Sequence, residues 1–97
     1  MDVTFKDQSL DRLETDAACS ADFSDAIVKA YRRRLQQIRA ATDERTFYAQ
    51  RSLNFEKLHD RDGQYSMRLN DQWRLIVELH GVAPNKVVHI VEIEDYH

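Results

Sequence analysis

Two periodicities divide the chain. From Ser24 to about Ala41 the apolar residues Ile27, Val28, Tyr31, Leu35 and Ile38 recur three or four apart, one stripe of an amphipathic helix. Ser24 supplies the side-chain oxygen that a helix start needs. Ahead of it the pattern predicts a short strand over about Val3–Lys6 and a short helix over Ser9–Glu14, with Leu10 and Leu13 on one face. Behind it Thr42 is the expected cap of one more helical segment, through about Ala49. From residue 53 the period changes to two. Tyr65, Met67 and Leu69 alternate with Ser66 and Arg68, and Trp73, Leu75, Val77 and Leu79 alternate with Arg74, Ile76 and Glu78. Val87–Ile93 is nearly all apolar and β-branched, as in a strand buried on both faces. Turn signals stand at Asp62-Gly63, Asn70-Asp71-Gln72 and Gly81 to Asn85. A strand, then helices, then consecutive strands predicts an α+β fold with the N-terminal helices on one face of a small antiparallel sheet.

The hairpin at residues 70–72 fixes a register. Pairing Leu69 with Trp73 leaves a three-residue loop in which Asn or Asp can take the left-handed position. The same register pairs Met67 with Leu75 and Tyr65 with Val77, so one face is apolar throughout. A slip of one residue would mix the faces. It also sets Arg68 directly across from Arg74, and like charges in that position repel. An offset is therefore expected, either a neighbouring acid such as Glu78 or a bound anion. Phosphate suits paired guanidinium groups well.

At 97 residues the chain has room for one core, so residues 1–97 are expected to form a single domain. No stretch approaches the roughly 18 apolar residues of a membrane span. The opening MDVTFKDQSLDR has neither a basic start nor an apolar run, and reads as free of a signal peptide. The single cysteine, Cys19, has no partner for an internal disulfide, which suits a reducing cytoplasm. The formal charge of −3 argues against nucleic acid, but its distribution does not. Residues 1–26 carry −5, residues 27–74 carry +5 and residues 75–97 carry −3. A basic middle offers phosphate contacts, or simply a solvated helix face.

The sequence ends Glu92-Ile93-Glu94-Asp95-Tyr96-His97, just after the apolar strand. If that strand is central, its end is held and three chemically useful side chains follow on a fixed scaffold. His97 can exchange a proton near neutral pH. Tyr96 can hydrogen-bond or stack on a base. His59, close to a turn, is a second imidazole candidate, whereas His80 and His89 look less useful. No metal-ligand spacing, Gly-rich phosphate loop or GxSxG elbow occurs. No metal or other cofactor is expected.

Several of these segments together resemble one family. Leu58-His59, Asp60-Arg61-Asp62-Gly63-Gln64-Tyr65-Ser66, Asn70-Asp71-Gln72-Trp73-Arg74 and the terminal Glu94-Asp95-Tyr96-His97 are similar to the HigB toxins of the RelE/ParE superfamily, also called plasmid maintenance system killer proteins. The likeness is dense over residues 53–97; the first half agrees in helix order and length. It implies a RelE-like fold, with helices on a small curved antiparallel sheet. It implies a ribosome-dependent, metal-independent endoribonuclease that cuts mRNA in the decoding site. His59, Arg74, Tyr96 and His97 would then be catalytic, with Lys57, Arg61, Arg68 and Asp95 on the RNA. The implied partners are a HigA-like helix-turn-helix antitoxin, the ribosome and mRNA, with operator DNA reached only through the antitoxin, and no membrane. Many relatives carry a longer segment after the histidine, ending in a catalytic lysine, where this chain runs from His59 straight into Asp60-Arg61. Two other readings stay open: a ParE-like gyrase inhibitor of the same fold, or a weakly active regulatory member.

Overall fold

A computed structural model describes residues 1–82 and 84–95 of the chain. The order is β1 (Asp2–Phe5), α1 (Gln8–Thr15), α2 (Asp25–Ala40), α3 (Arg45–Ala49), a single 3-10 turn (Arg51–Leu53), β2 (Glu56–Lys57), β3 (Gln64–Arg68), β4 (Trp73–His80) and β5 (Val87–Asp95). The α+β class is as the pattern predicts. The sheet runs β1-β5-β4-β3-β2. It departs from the expectation in one pair: β1 lies parallel to β5, with Phe5 beside Ile90, so the sheet is mixed. Three helices separate β1 from the rest of the sheet, and a long connection of that kind permits a parallel return.

Local chemistry explains where the helices begin. Ser24 accepts from the Ile27 N–H at 3.4 Å, as expected for α2. At α1 the cap is Asp7, which accepts from the Leu10 N–H at 3.2 Å, so this helix starts slightly earlier than predicted. Thr42 does not cap α3. The Asp43 carboxylate binds both the backbone N–H and the guanidinium of Arg45, and the helix begins only at Arg45. Arg32 on α2 donates to the carbonyls of Leu13 and Asp16, each at 2.9 Å, and so closes the C-terminal end of α1.

One large core lies between the helices and the sheet. Leu13, Tyr31, Leu35, Ile38 and Phe47 from the helices are packed with Met67, Leu75, Val77, Val88 and Ile90 from the strands. Buried Tyr31 donates its hydroxyl to the Leu10 carbonyl at 2.8 Å, which satisfies both groups away from water. On the other face of the sheet, among the described residues, only Leu58, Ile76 and Val91 form a buried apolar cluster. The predicted two-sided burial of the last strand is therefore real: Val88 and Ile90 face one core and Val91 the other.

The β3–β4 register is as read, with Tyr65 opposite Val77, Met67 opposite Leu75 and Arg68 opposite Arg74. The turn is made differently from the expectation. None of residues 70–72 has a positive φ. Instead Asn70 Oδ1 accepts from the N–H groups of Gln72 and Trp73 at 2.9 and 2.8 Å, a side-chain turn. Between β4 and β5 the register slips: Ile76 lies opposite Glu92 and Val77 opposite Ile90, so Val91 is an extra, bulged residue. At the far end of that hairpin Gly81 has φ +79°, and a Cβ there would meet the Asn85 carbonyl oxygen at 2.6 Å.

Ile76 is fully buried on the face that lacks helices. Ile76→Ala should cost about 2–5 kcal/mol, read from the midpoint of urea unfolding. A loss under about 1 kcal/mol would show that this small second core contributes little.

Candidate functional site

The side chains of the helix-free face are set by the pleat and the bulge. Arg74 shares a face with Ile76, two residues along β4. The extra residue at Val91 reverses the alternation of β5, so Ile93 packs toward the helices and Glu92 and Glu94 turn to the open face. Glu94 thus stands directly opposite Arg74. Its Oε2 accepts from Arg74 Nε at 2.7 Å and lies 2.6 Å from Nη2. Its Oε1 accepts from Arg61 Nη2 at 2.6 Å, and Arg61 also reaches Glu92 at 3.6 Å. One carboxylate therefore holds two guanidinium groups, one from β4 and one from the loop between β2 and β3.

The pair Arg74–Glu94 is mostly shielded, at 20% and 19% side-chain exposure, where its Coulomb attraction is screened less than in open water. Burial alone would raise the Glu94 carboxyl, but the hydrogen bonds from Arg61 and Arg74 outweigh it and hold the group below the usual carboxylate range. The Arg61 guanidinium is correspondingly pushed up, chiefly by its hydrogen bond to Glu94.

The repulsion between Arg68 and Arg74 is offset, but not by Glu78. Glu94 takes Arg74, while Arg68 binds Asp71 and donates to the Asn70 carbonyl at 3.3 Å. Glu78 lies four residues along β4 from Arg74, opposite Gln64, and is engaged by His80 at 2.9 Å and Gln64 at 3.3 Å. Arg68 and Arg74 line one narrow cleft together with Asn54, Glu56 and Ser66.

The other candidates are partly gathered. His59 and Lys57 are exposed, on the rim of a separate, open depression of about 490 Å³ whose apolar wall is Tyr48, Phe55 and Leu58. Phe55 stacks flat on Tyr65 at 5.2 Å and meets Tyr48 edge-on at 4.8 Å. Glu56 borders both the depression and the arginine cleft, so the two adjoin. Asp95 lies opposite Trp73 at the end of β5 and accepts from Gln72 Nε2 at 3.2 Å, so the strand end is tied down to this point. Tyr96 and His97 lie outside the described residues. Among the described residues no group of three His, Cys, Asp or Glu side chains is placed to hold a metal ion, and no helix is long and apolar enough to cross a membrane.

Sequence reasoning missed Glu94 as a site residue, and also Tyr48, which is 55% exposed. For Glu94 a signal existed, since it closes an Ile-Glu alternation next to the candidate Asp95. What the pattern lacked was the bulge that turns it toward Arg74.

The depressed Glu94 carboxyl makes a prediction about acid stability. A group with a lowered folded pKa contributes stability above its ordinary value, near 4.3 for glutamate, and loses it as pH falls through the folded value. Glu94→Gln should therefore melt below wild type at pH 7, and the gap should close as pH drops under about 4. Thermal melts from pH 3 to pH 7 measure this, and a gap constant across that range would remove the carboxylate's charge from the explanation.

Comparison with known proteins agrees with this architecture. The solved structure of a YoeB/ParE toxin from Agrobacterium tumefaciens superposes with a TM-score of 0.65 at 19% identity, over 100% of both chains. That likeness concerns the fold. A search of curated proteins finds no match. The family model described as "RelE-like toxin of type II toxin-antitoxin system HigB" matches residues 3–97. With almost the whole chain matched, the protein belongs to the HigB-like family of RelE-like toxins from type II toxin–antitoxin systems, a class that acts with an antitoxin partner.

Proposed function

We propose that this toxin is a cytoplasmic, ribosome-dependent endoribonuclease, a single domain of residues 1–97 that cuts mRNA in the decoding site and is silenced by a HigA-like helix-turn-helix antitoxin. The observation that carries the reading is the gathering of Arg61, Arg68 and Arg74 at one corner of the open sheet face, beside the end of β5, in a RelE-like toxin. Arginine forks suit a phosphodiester and the phosphorane it passes through.

The reaction uses the substrate's own 2′-hydroxyl. Its oxygen bonds to the adjacent phosphorus and the P–O5′ bond breaks, leaving a 2′,3′-cyclic phosphate and a 5′-hydroxyl. The 2′ proton goes to a base and the departing O5′ takes one from an acid. His59 and His97 are the two imidazoles for these transfers, in either order, with general acid–base help worth roughly 10²–10⁴-fold. Arg74 and Arg68 meet the developing phosphorane charge. Lys57 and Arg61 bind RNA phosphate, Tyr96 stacks on a base, and Asp95 orients a neighbour. Because the depression at His59 adjoins the arginine cleft along Glu56, a bent strand of RNA can occupy both. So few groups position mRNA only with the ribosome's help.

Expression without a partner should arrest growth, with translation failing first, and co-expression of the antitoxin should restore it. Pulse labelling of protein and DNA synthesis reads this directly. Normal growth with soluble, folded toxin would sink the proposal, and early failure of DNA supercoiling with translation intact would favour gyrase inhibition.

His97→Ala should lower cleavage on programmed ribosomes by roughly 10²-fold or more, and His97→Gln should do the same, because glutamine hydrogen-bonds but carries no titratable proton near neutral pH. Full activity of both variants would leave proton transfer to His59 and other groups.

A further inference from the structure

Glu94 holds its two arginines in the way a phosphate would. Arg74 grips one carboxylate oxygen through its Nε–Nη2 edge at 2.7 and 2.6 Å, and Arg61 takes the other at 2.6 Å. The three side chains come from β4, β5 and the β2–β3 loop, so the arrangement is built by tertiary structure and not by neighbours in sequence. A carboxylate and a phosphodiester share the relevant features: one negative charge spread over two oxygens, each able to accept from a guanidinium. Arg68, the other arginine at this corner, is engaged separately by Asp71 and the Asn70 carbonyl.

We propose that Arg61 and Arg74 form a phosphodiester-binding site whose occupant in the free chain is the carboxylate of Glu94, and that an incoming phosphodiester exchanges places with it. That the phosphodiester belongs to RNA rests on the function proposed above; the site itself does not. The exchange replaces one singly charged, two-oxygen anion by another, so the charge at the two arginines is unchanged. Glu94 is already 19% exposed and its side chain turns about single bonds, so it can swing outward while β5 stays paired with β4. The consequence is a threshold. Apparent affinity falls by the fraction of time the site is free of Glu94, so weakly held phosphates do not displace it, whereas a strand already held by the ribosome does.

The test titrates a trinucleotide made uncleavable by 2′-deoxy sugars into the folded, full-length protein, following the arginine Nε–Hε signals by NMR. In wild type the signals of Arg61 and Arg74 should move together, with weak affinity. Glu94→Gln keeps the side chain's shape and removes the competing charge, so affinity should rise roughly tenfold or more. Glu94→Asp, one methylene short of both arginines, should tighten binding by less. Arg61→Gln should weaken it. Unchanged or weaker binding in both Glu94 variants would overturn the proposal, since Glu94 would then be holding the arginines in position rather than filling their site. Signals that move only at Arg68 or outside these arginines would overturn it too. Cleavage on programmed ribosomes, run beside the titration, separates the two ideas. Tighter trinucleotide binding in Glu94→Gln with no cleavage by wild type keeps the site and ends the nuclease reading. Cleavage by wild type with binding indifferent to Glu94 does the reverse.

Discussion

A single extra residue in β5 decides what each face of the sheet can do. Val88, Ile90 and Ile93 all pack toward the helices, yet strict alternation from Val88 and Ile90 would bring Glu92 inward and leave Ile93 outside. The bulge at Val91 resolves the conflict. It keeps three aliphatic side chains in the main core while Val91 stays in the small cluster with Ile76 and Leu58. It also delivers Glu92 and Glu94 to the open face, where Arg61 and Arg74 meet them. The demand for apolar burial and the assembly of the charged site are thus met by one backbone irregularity.

Charge in this chain is spent largely on pairing across its blocks. The acidic N-terminal segment supplies Glu14 to Arg39, and the acidic C-terminal segment supplies Glu94 to Arg61 and Arg74. Lys86 crosses back to Glu44. Arg32 turns to backbone carbonyls instead of an acid. The basic middle of the sequence is therefore not one continuous positive stripe. Half-buried Arg34 illustrates the limit: burial, then the nearby charges of Arg33 and Arg68, push its guanidinium down, and Gln37 at 2.7 Å is its side-chain partner.

What the sequence made legible follows from the range of the interactions involved. The α2 stripe, the Ser24 cap and the Arg68–Arg74 register all depend on residues close in the chain, where period and turn length decide the outcome. The parallel β1–β5 pair joins residues more than 80 apart, and a four-residue strand carries no mark of its partner's direction. The two-residue β2 was too short to show any period. Glu94 was missed because its meeting with Arg74 spans 20 residues and depends on a bulge that apolar patterning hides, Val91 being as hydrophobic as Val88 and Ile90 before it. His59, by contrast, was visible as a residue, but its separation from the arginine cleft was not, since that is set by where Glu56 and the β2 edge fall.

Stability and chemistry are divided between the faces, and this division explains how the site can hold competing charges. The helices cover one side with a large apolar core, which contributes most of the buried area. The other side keeps, among the described residues, only three clustered buried aliphatic residues, enough to seat β4 and β5 firmly but too few to cover the sheet. Arg61, Arg74 and Glu94 lie at the margin of that patch, Arg74 and Glu94 anchored through strand pairing and Arg61 through the turn hydrogen bond its carbonyl accepts from Gln64, while their charged ends stay partly in contact with water. A position fully inside would make any unpaired charge prohibitively costly. A fully exposed one would weaken each contact to the small values typical of surface pairs. The margin lets the guanidinium groups hold an anion strongly and still change which anion they hold.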